Sequence, residues 1–90
     1  MRRPVVTGQF ERDIRLMERR GKDTRKLREV MSSILQGELL PVKMRDHQLR
    51  GVWRGRRECH VEPDWLLIYL LQGDDTVVFE RTGRHTDLFD

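Results

Sequence analysis

Trp65-Leu66-Leu67-Ile68-Tyr69-Leu70-Leu71 is the longest apolar run in the chain, and its flanks decide what it is. Glu62-Pro63-Asp64 precedes it and reads as a turn, because proline presets the backbone for the second position of a β-turn. Gln72-Gly73-Asp74-Asp75 follows it and reads as a hairpin connection. A short apolar run bounded by turns is a central strand buried on both faces, and it is far too short to span a bilayer. Its partners are predicted on either side: Trp53 to Val61, which has β character but carries arginines and a histidine, and Thr76 to Thr82, ended by Gly83. A short tail, Arg84 to Asp90, remains.

Upstream the period changes. Leu27, Val30, Met31, Ile34 and Leu35 repeat at helical spacing, with Asp23 placed as an N-cap and Gly37 as a stop. Phe10, Ile14 and Met17 mark an earlier helix that begins after Gly8 and ends at Gly21, since glycine readily takes the left-handed conformation after a helix. Two helices with a tight connection predict an antiparallel pair. Pro4 to Thr7 is β-prone, and Pro41 to Gln48 reads as a loop. The predicted order is β-α-α-β-β-β. Grouped rather than alternating elements predict an α+β fold, two N-terminal helices packed on one face of a small antiparallel sheet. The other face is left as an open concave surface.

At 90 residues the chain is expected to form one domain, 1–90. Cys59 is the only cysteine, so no internal disulfide is possible, which suits a reducing cytosol. The basic start lacks an apolar segment after it, so no signal peptide is read and a cytoplasmic location without membrane attachment is expected. The net charge is +3, distributed unevenly: residues 1–57 balance at +9 and residues 58–90 at −6. A basic half predicts a polyanionic partner such as nucleic acid, although a solvated helical surface has the same composition. Arg12, Arg15 and Arg19 line one helix side, and Lys22, Arg25, Lys26 and Arg28 crowd the junction between the helices.

The chain has three histidines: His47 in the loop before the sheet, His60 near the end of a strand, and His85 just after Gly83. With the strands paired as read, His60, Asp64 and Arg81 converge at one sheet edge, and His85 joins from the tail. Such a set suits phosphodiester cleavage in RNA. Imidazole can take the 2′-hydroxyl proton or return one to the leaving 5′-oxygen, a carboxylate can accept the first proton, and guanidinium fits the phosphorane oxygens. Each residue also has an ordinary reading: a hydrogen-bonded strand histidine, turn chemistry at Asp64, an ion pair at Arg81, packing at Trp53 and Trp65. Phe89 has little core left to fill. Cys59 and His60 are adjacent and point to opposite faces of a strand, and no metal-ligand spacing is present, so no metal site and no cofactor are predicted. From the residues alone, a non-catalytic nucleic-acid-binding or partner-docking module remains the alternative to a nuclease.

Asp46-His47-Gln48-Leu49, Gly51, Trp53, Gly55 and Arg57 are followed by His60-Val61-Glu62-Pro63-Asp64-Trp65 and Leu67-Ile68-Tyr69, then by Phe79-Glu80-Arg81-Thr82-Gly83, His85 and Leu88-Phe89. This nearly gapless series resembles the YafQ-type toxins of the RelE superfamily. The first 45 residues are similar to them only in pattern. The resemblance implies a RelE-like fold and ribosome-dependent cleavage of messenger RNA in the A site, with a bias toward adenine-rich lysine codons. It places functional positions on His47, His60, Asp64, Trp65, Arg81, His85 and Phe89; Cys59 stands where the family usually has alanine. It implies His85 as general acid, Asp64 or His60 as base, Arg81 on the phosphorane, His47 on the phosphate and Phe89 stacked on a base. It implies that the basic helices, with Arg12, Arg15, Arg19, Lys22, Arg25 and Lys26, contact 16S ribosomal RNA. The implied protein partner is a DinJ-like antitoxin, through which the toxin–antitoxin complex would bind operator DNA.

Overall fold

The computed structural model describes residues 1–89. The apolar run forms β4, Trp65–Gln72, in the middle of a five-stranded sheet with β1 (Arg3–Val6), β2 (His47–Gln48), β3 (Arg57–Glu62) and β5 (Thr76–Gly83). The strand order is β1-β5-β4-β3-β2. The helices α1 (Gly8–Arg19) and α2 (Thr24–Leu35) lie on one face, and a third, α3 (His85–Phe89), follows the last strand. Short 3-10 turns at Val42–Met44 and Gly51–Trp53 shape the long connection before β3.

The α+β class and the helix pair are as the hydrophobic periods predict. Phe10, Met17, Leu27, Val30 and Ile34 are buried against Cys59, Trp65, Leu67, Tyr69, Val77 and Phe79 in one core cluster. Thr7 caps α1 by accepting from Phe10 N at 2.9 Å, and Asp23 caps α2 by accepting from Arg25 N at 3.0 Å. Each cap satisfies an amide that the first helical turn cannot.

Three features go beyond the sequence reading. The sheet is mixed: β1 runs parallel to β5, with Arg3 opposite Thr76 and Val6 opposite Phe79. The α1–α2 pair carries the chain from β1 to β2 at the opposite edge, and the sheet is then laid back strand by strand until β5 lies beside β1. The segment read as a loop, Pro41 to Gln48, ends in the small strand β2, where His47 pairs with Glu58. The far face of the sheet is not wholly open, because Leu66, Ile68 and Leu88 form a second small cluster there with Leu49 and Trp53.

Two register shifts aim the side chains. One falls in β3 between His60 and Glu62, and the other lies opposite Ile68 and Tyr69 of β4. In the second, Tyr69 faces Phe79 and Ile68 faces Arg81, so Glu80 is the extra residue. Strand parity after Val77 and Phe79 would send Arg81 into the helix-side core. The bulge reverses it, putting Thr82 in the core and Arg81 on the face of Ile68.

Candidate functional site

Directly paired residues of antiparallel strands share a face, so the register lays out the site. His47, Glu58, Ile68 and Arg81 form one row across β2, β3, β4 and β5. His60, Leu66 and Gly83 form the next. Both rows lie on the side away from α1 and α2. The turn after Gly83 then brings α3, with His85 and Phe89, over the second row.

His85 is held by Asp64 of the β3–β4 turn. Its backbone N–H donates to Asp64 Oδ1 at 3.0 Å, and Nδ1 lies 2.8 Å from the same oxygen. The backbone N–H first, then the imidazole, hold the Asp64 carboxyl below its ordinary range. With Nδ1 protonated toward Asp64, Nε2 of His85 is the outward nitrogen. His60 lies beside it, the ring centroids 5.9 Å apart. Nδ1 of His60 is 3.2 Å from Pro63 O, an acceptor only, so this nitrogen carries a proton. Its Nε2 is 3.4 Å from Glu58 Oε1, and the same oxygen lies 3.6 Å from His47 Nε2. Glu58 is buried and links the two histidines. His47 Nδ1 is 2.6 Å from Arg45 O.

Phe89 is 41% exposed, 6.1 Å from His85 and edge-on to Trp53 at 6.5 Å. Arg81 is tied to α1: its Nε is 2.8 Å and its Nη2 3.2 Å from the carboxylate of Asp13. Asp13 also accepts from Thr82 N at 3.1 Å, serving an amide at the β5 edge that β1, ending at Val6, no longer reaches. Among the described residues Nη1 of Arg81 has no hydrogen-bond partner.

The structure brings His47, His60, Asp64, Arg81, His85 and Phe89 to one face and end of the sheet. It removes Trp65 from this group. Trp65 is fully buried on the helix side, its indole N–H donating to Thr82 Oγ1 at 2.9 Å, so it supports the site from within and does not reach a substrate. Parity explains this, since Trp65 and Leu66 face opposite ways. The basic cluster also divides. Lys22 and Lys26 are both bound to Glu62, at 2.8 and 2.7 Å, and Arg25 folds back on Asp23. Arg12, Arg15 and Arg19 are exposed, and among the described residues Arg12 hydrogen-bonds only to Gln9. Among the described residues no group of three or more histidine, cysteine or acidic side chains is arranged to hold a metal. Burial pushes the Cys59 thiol up to about 12, so it acts as a packed apolar group.

Sequence reasoning missed Glu58 and Asp13. Both left a signal. Glu58 is two residues from His60 in a strand and must share its face. Asp13 sits inside the apolar stripe of Phe10, Ile14 and Met17, where a carboxylate requires a partner.

Fold and site together define a small basic α+β protein with an imidazole–carboxylate face suited to acid–base chemistry. The family described as the bacterial toxin of type II toxin–antitoxin systems, YafQ, matches residues 2–90. The mRNA interferase toxin YafQ of Escherichia coli strain K12 is 46% identical over 84 residues, covering 92% of this chain and 90% of that protein. The crystal structure of YafQ from E. coli BL21(DE3) superposes with a TM-score of 0.93 at 43% identity over the whole of both chains. That of the E. coli DinJ–YafQ complex gives 0.91, again at 43% identity and complete coverage. The chain belongs to the YafQ toxin family.

Proposed function

We propose that this protein is an endoribonuclease toxin that cuts messenger RNA in the ribosomal A site and is neutralised by a DinJ-like antitoxin. The observation that carries the reading is the exposed His85–Asp64 pair with the ring of His60, largely buried, 5.9 Å from that of His85. Neither RNA binding nor partner docking needs that arrangement. Membership in a family whose relatives are called mRNA interferases supports it.

The proposed chemistry is transphosphorylation. His60, its proton kept on Nδ1 toward Pro63 O and its unprotonated Nε2 turned from Glu58 to the substrate, takes the proton of the 2′-hydroxyl, whose oxygen attacks the adjacent phosphorus. Imidazolium His85 gives its Nε2 proton to the leaving 5′-oxygen, so the products are a 2′,3′-cyclic phosphate and a free 5′-hydroxyl. Asp64 fixes the tautomer and aim of His85 and, being held low, is the weaker base. Arg81 offers Nη1 to the phosphorane, His47 holds the flanking phosphate, and Phe89 stacks on a codon base, worth about 1–3 kcal/mol. The route requires no metal. Antitoxin binding suppresses it, and the complex contacts operator DNA through the antitoxin.

Induced expression in a bacterial host, read by primer extension on a reporter message, tests the class. Growth arrest with discrete in-frame cuts is expected. Arrest without cuts would favour the non-catalytic binding module.

A further inference from the structure

The helix α3 spans only His85–Phe89, a single turn and a fraction. Such a helix has no stability alone, so tertiary contacts must hold it. Leu88 is buried on Leu66 and Ile68, and Asp64 receives the backbone N–H of His85. The third contact is Asp87. Its Oδ2 accepts from Arg84 N at 2.8 Å, and its two oxygens accept from Arg20 at 2.6 and 3.0 Å, a bidentate pair. Gly83 makes room for it: a Cβ there would lie 3.0 Å from Asp87 Oδ2 and 3.1 Å from its Cβ. The two side chains are 26% and 19% exposed, better shielded than an ordinary surface pair. The guanidinium holds the Asp87 carboxyl at about 2, so the pair stays ionised at neutral pH.

Arg20 is the C-cap of α1; among the described residues its side chain hydrogen-bonds to Asp87 and Met17 and to no residue of the acid–base face, although it lines a shallow pocket together with Asp64. Two residues on, Lys22 binds Glu62, which lies two residues before Asp64. Both halves of the His85–Asp64 pair are therefore tied to the junction between α1 and α2, Asp64 through Glu62 and His85 through Asp87.

We propose that Arg20 and Asp87 are positioning residues of the site: their ion pair docks α3, setting His85 against Asp64 and Phe89 beside it. This rests on the reading of His85 as general acid. Undocking leaves the exposed arginines of α1 in place and lowers the fraction of toxin with His85 and Phe89 set at the site, so it acts first on kcat and, through the displaced Phe89, raises KM by a smaller factor.

The test measures cleavage of messenger RNA on programmed ribosomes by Arg20→Ala, Asp87→Asn, Arg20→Lys and His85→Ala, together with imidazole nitrogen spectra of His85 in the free toxins. Arg20→Ala and Asp87→Asn are expected to lower kcat about 10- to 100-fold, the scale of a misplaced catalytic group, with a smaller rise in KM from the displaced Phe89. Arg20→Lys keeps the charge and should recover most of the rate. Combining Arg20→Ala with Asp87→Asn should cost no more than either alone, because both remove the same interaction. The signal of His85 Nδ1 bonded to Asp64 should weaken in Arg20→Ala and return in Arg20→Lys. Wild-type kcat and an unchanged His85 signal in Arg20→Ala, beside an inactive His85→Ala, would overturn the docking role alone. Wild-type cleavage by His85→Ala would overturn the acid assignment instead, and the spectra would still decide docking.

Discussion

Among single residues, the sharpest contrast is between His85 and Trp65, both marked by the family resemblance. His85 is half exposed and paired with Asp64, whereas Trp65 is sealed in the core against Thr82. Trp65→Phe should therefore lower stability by about 1–3 kcal/mol, through removal of a hydrogen bond and a small cavity, and leave kcat on ribosomes unchanged. Denaturant melts and single-turnover cleavage check the two halves; a stable but slow variant would return Trp65 to the substrate surface. The histidines were legible because few residue types titrate near neutrality. Their partners were less so. Arg81 and Asp13 are 68 residues apart, and Arg20 and Asp87 are separated by 67, distances over which only the folded sheet brings charges together.

For whole elements, helical periods and turn residues made α1, α2 and β4 readable. The parallel β1–β5 edge and the bulge at Glu80 were not, because pairing partners and extra residues leave no local period. That bulge decides where Arg81 points. The basic helices also separate into two populations. Lys22 and Lys26 brace the β3–β4 turn through Glu62, whose carboxyl they hold below its ordinary range. Arg12, Arg15 and Arg19 stay exposed, and the proposed function assigns them to RNA phosphates. Reversing the charge of these three should weaken ribosome binding and reduce its salt slope by roughly one unit for each phosphate left without its arginine, by counterion release. Filter binding at several salt concentrations measures this. Unchanged affinity and slope would move the RNA-binding surface to Arg50, Arg54, Arg56 and Arg57.

At the scale of the whole molecule, the uneven charge fits the division of labour we propose: an arginine-rich α1 for docking on RNA, and an acid-rich second half that supplies most of the site. Acid should unlock the molecule at α3. Asp87 has its carboxyl lowered from 3.8 to about 2 by Arg20, with Arg84 also facing it. A depressed carboxyl contributes fully above its unfolded value and loses that contribution as pH falls through the folded one. Wild type should therefore melt a few degrees above Asp87→Asn at neutral pH, with the gap closing between about pH 4 and pH 2; a constant gap would assign the difference to packing. No helix among the described residues is long and apolar enough to cross a membrane. The central claim is that His85 gives the leaving oxygen its proton. Single-turnover cleavage of messenger RNA on programmed ribosomes, at saturating toxin, compares wild type with folded His85→Ala. The account predicts a loss of about 10²–10⁴-fold, with the residual product still ending in a 2′,3′-cyclic phosphate. A wild-type rate from the folded variant would contradict it.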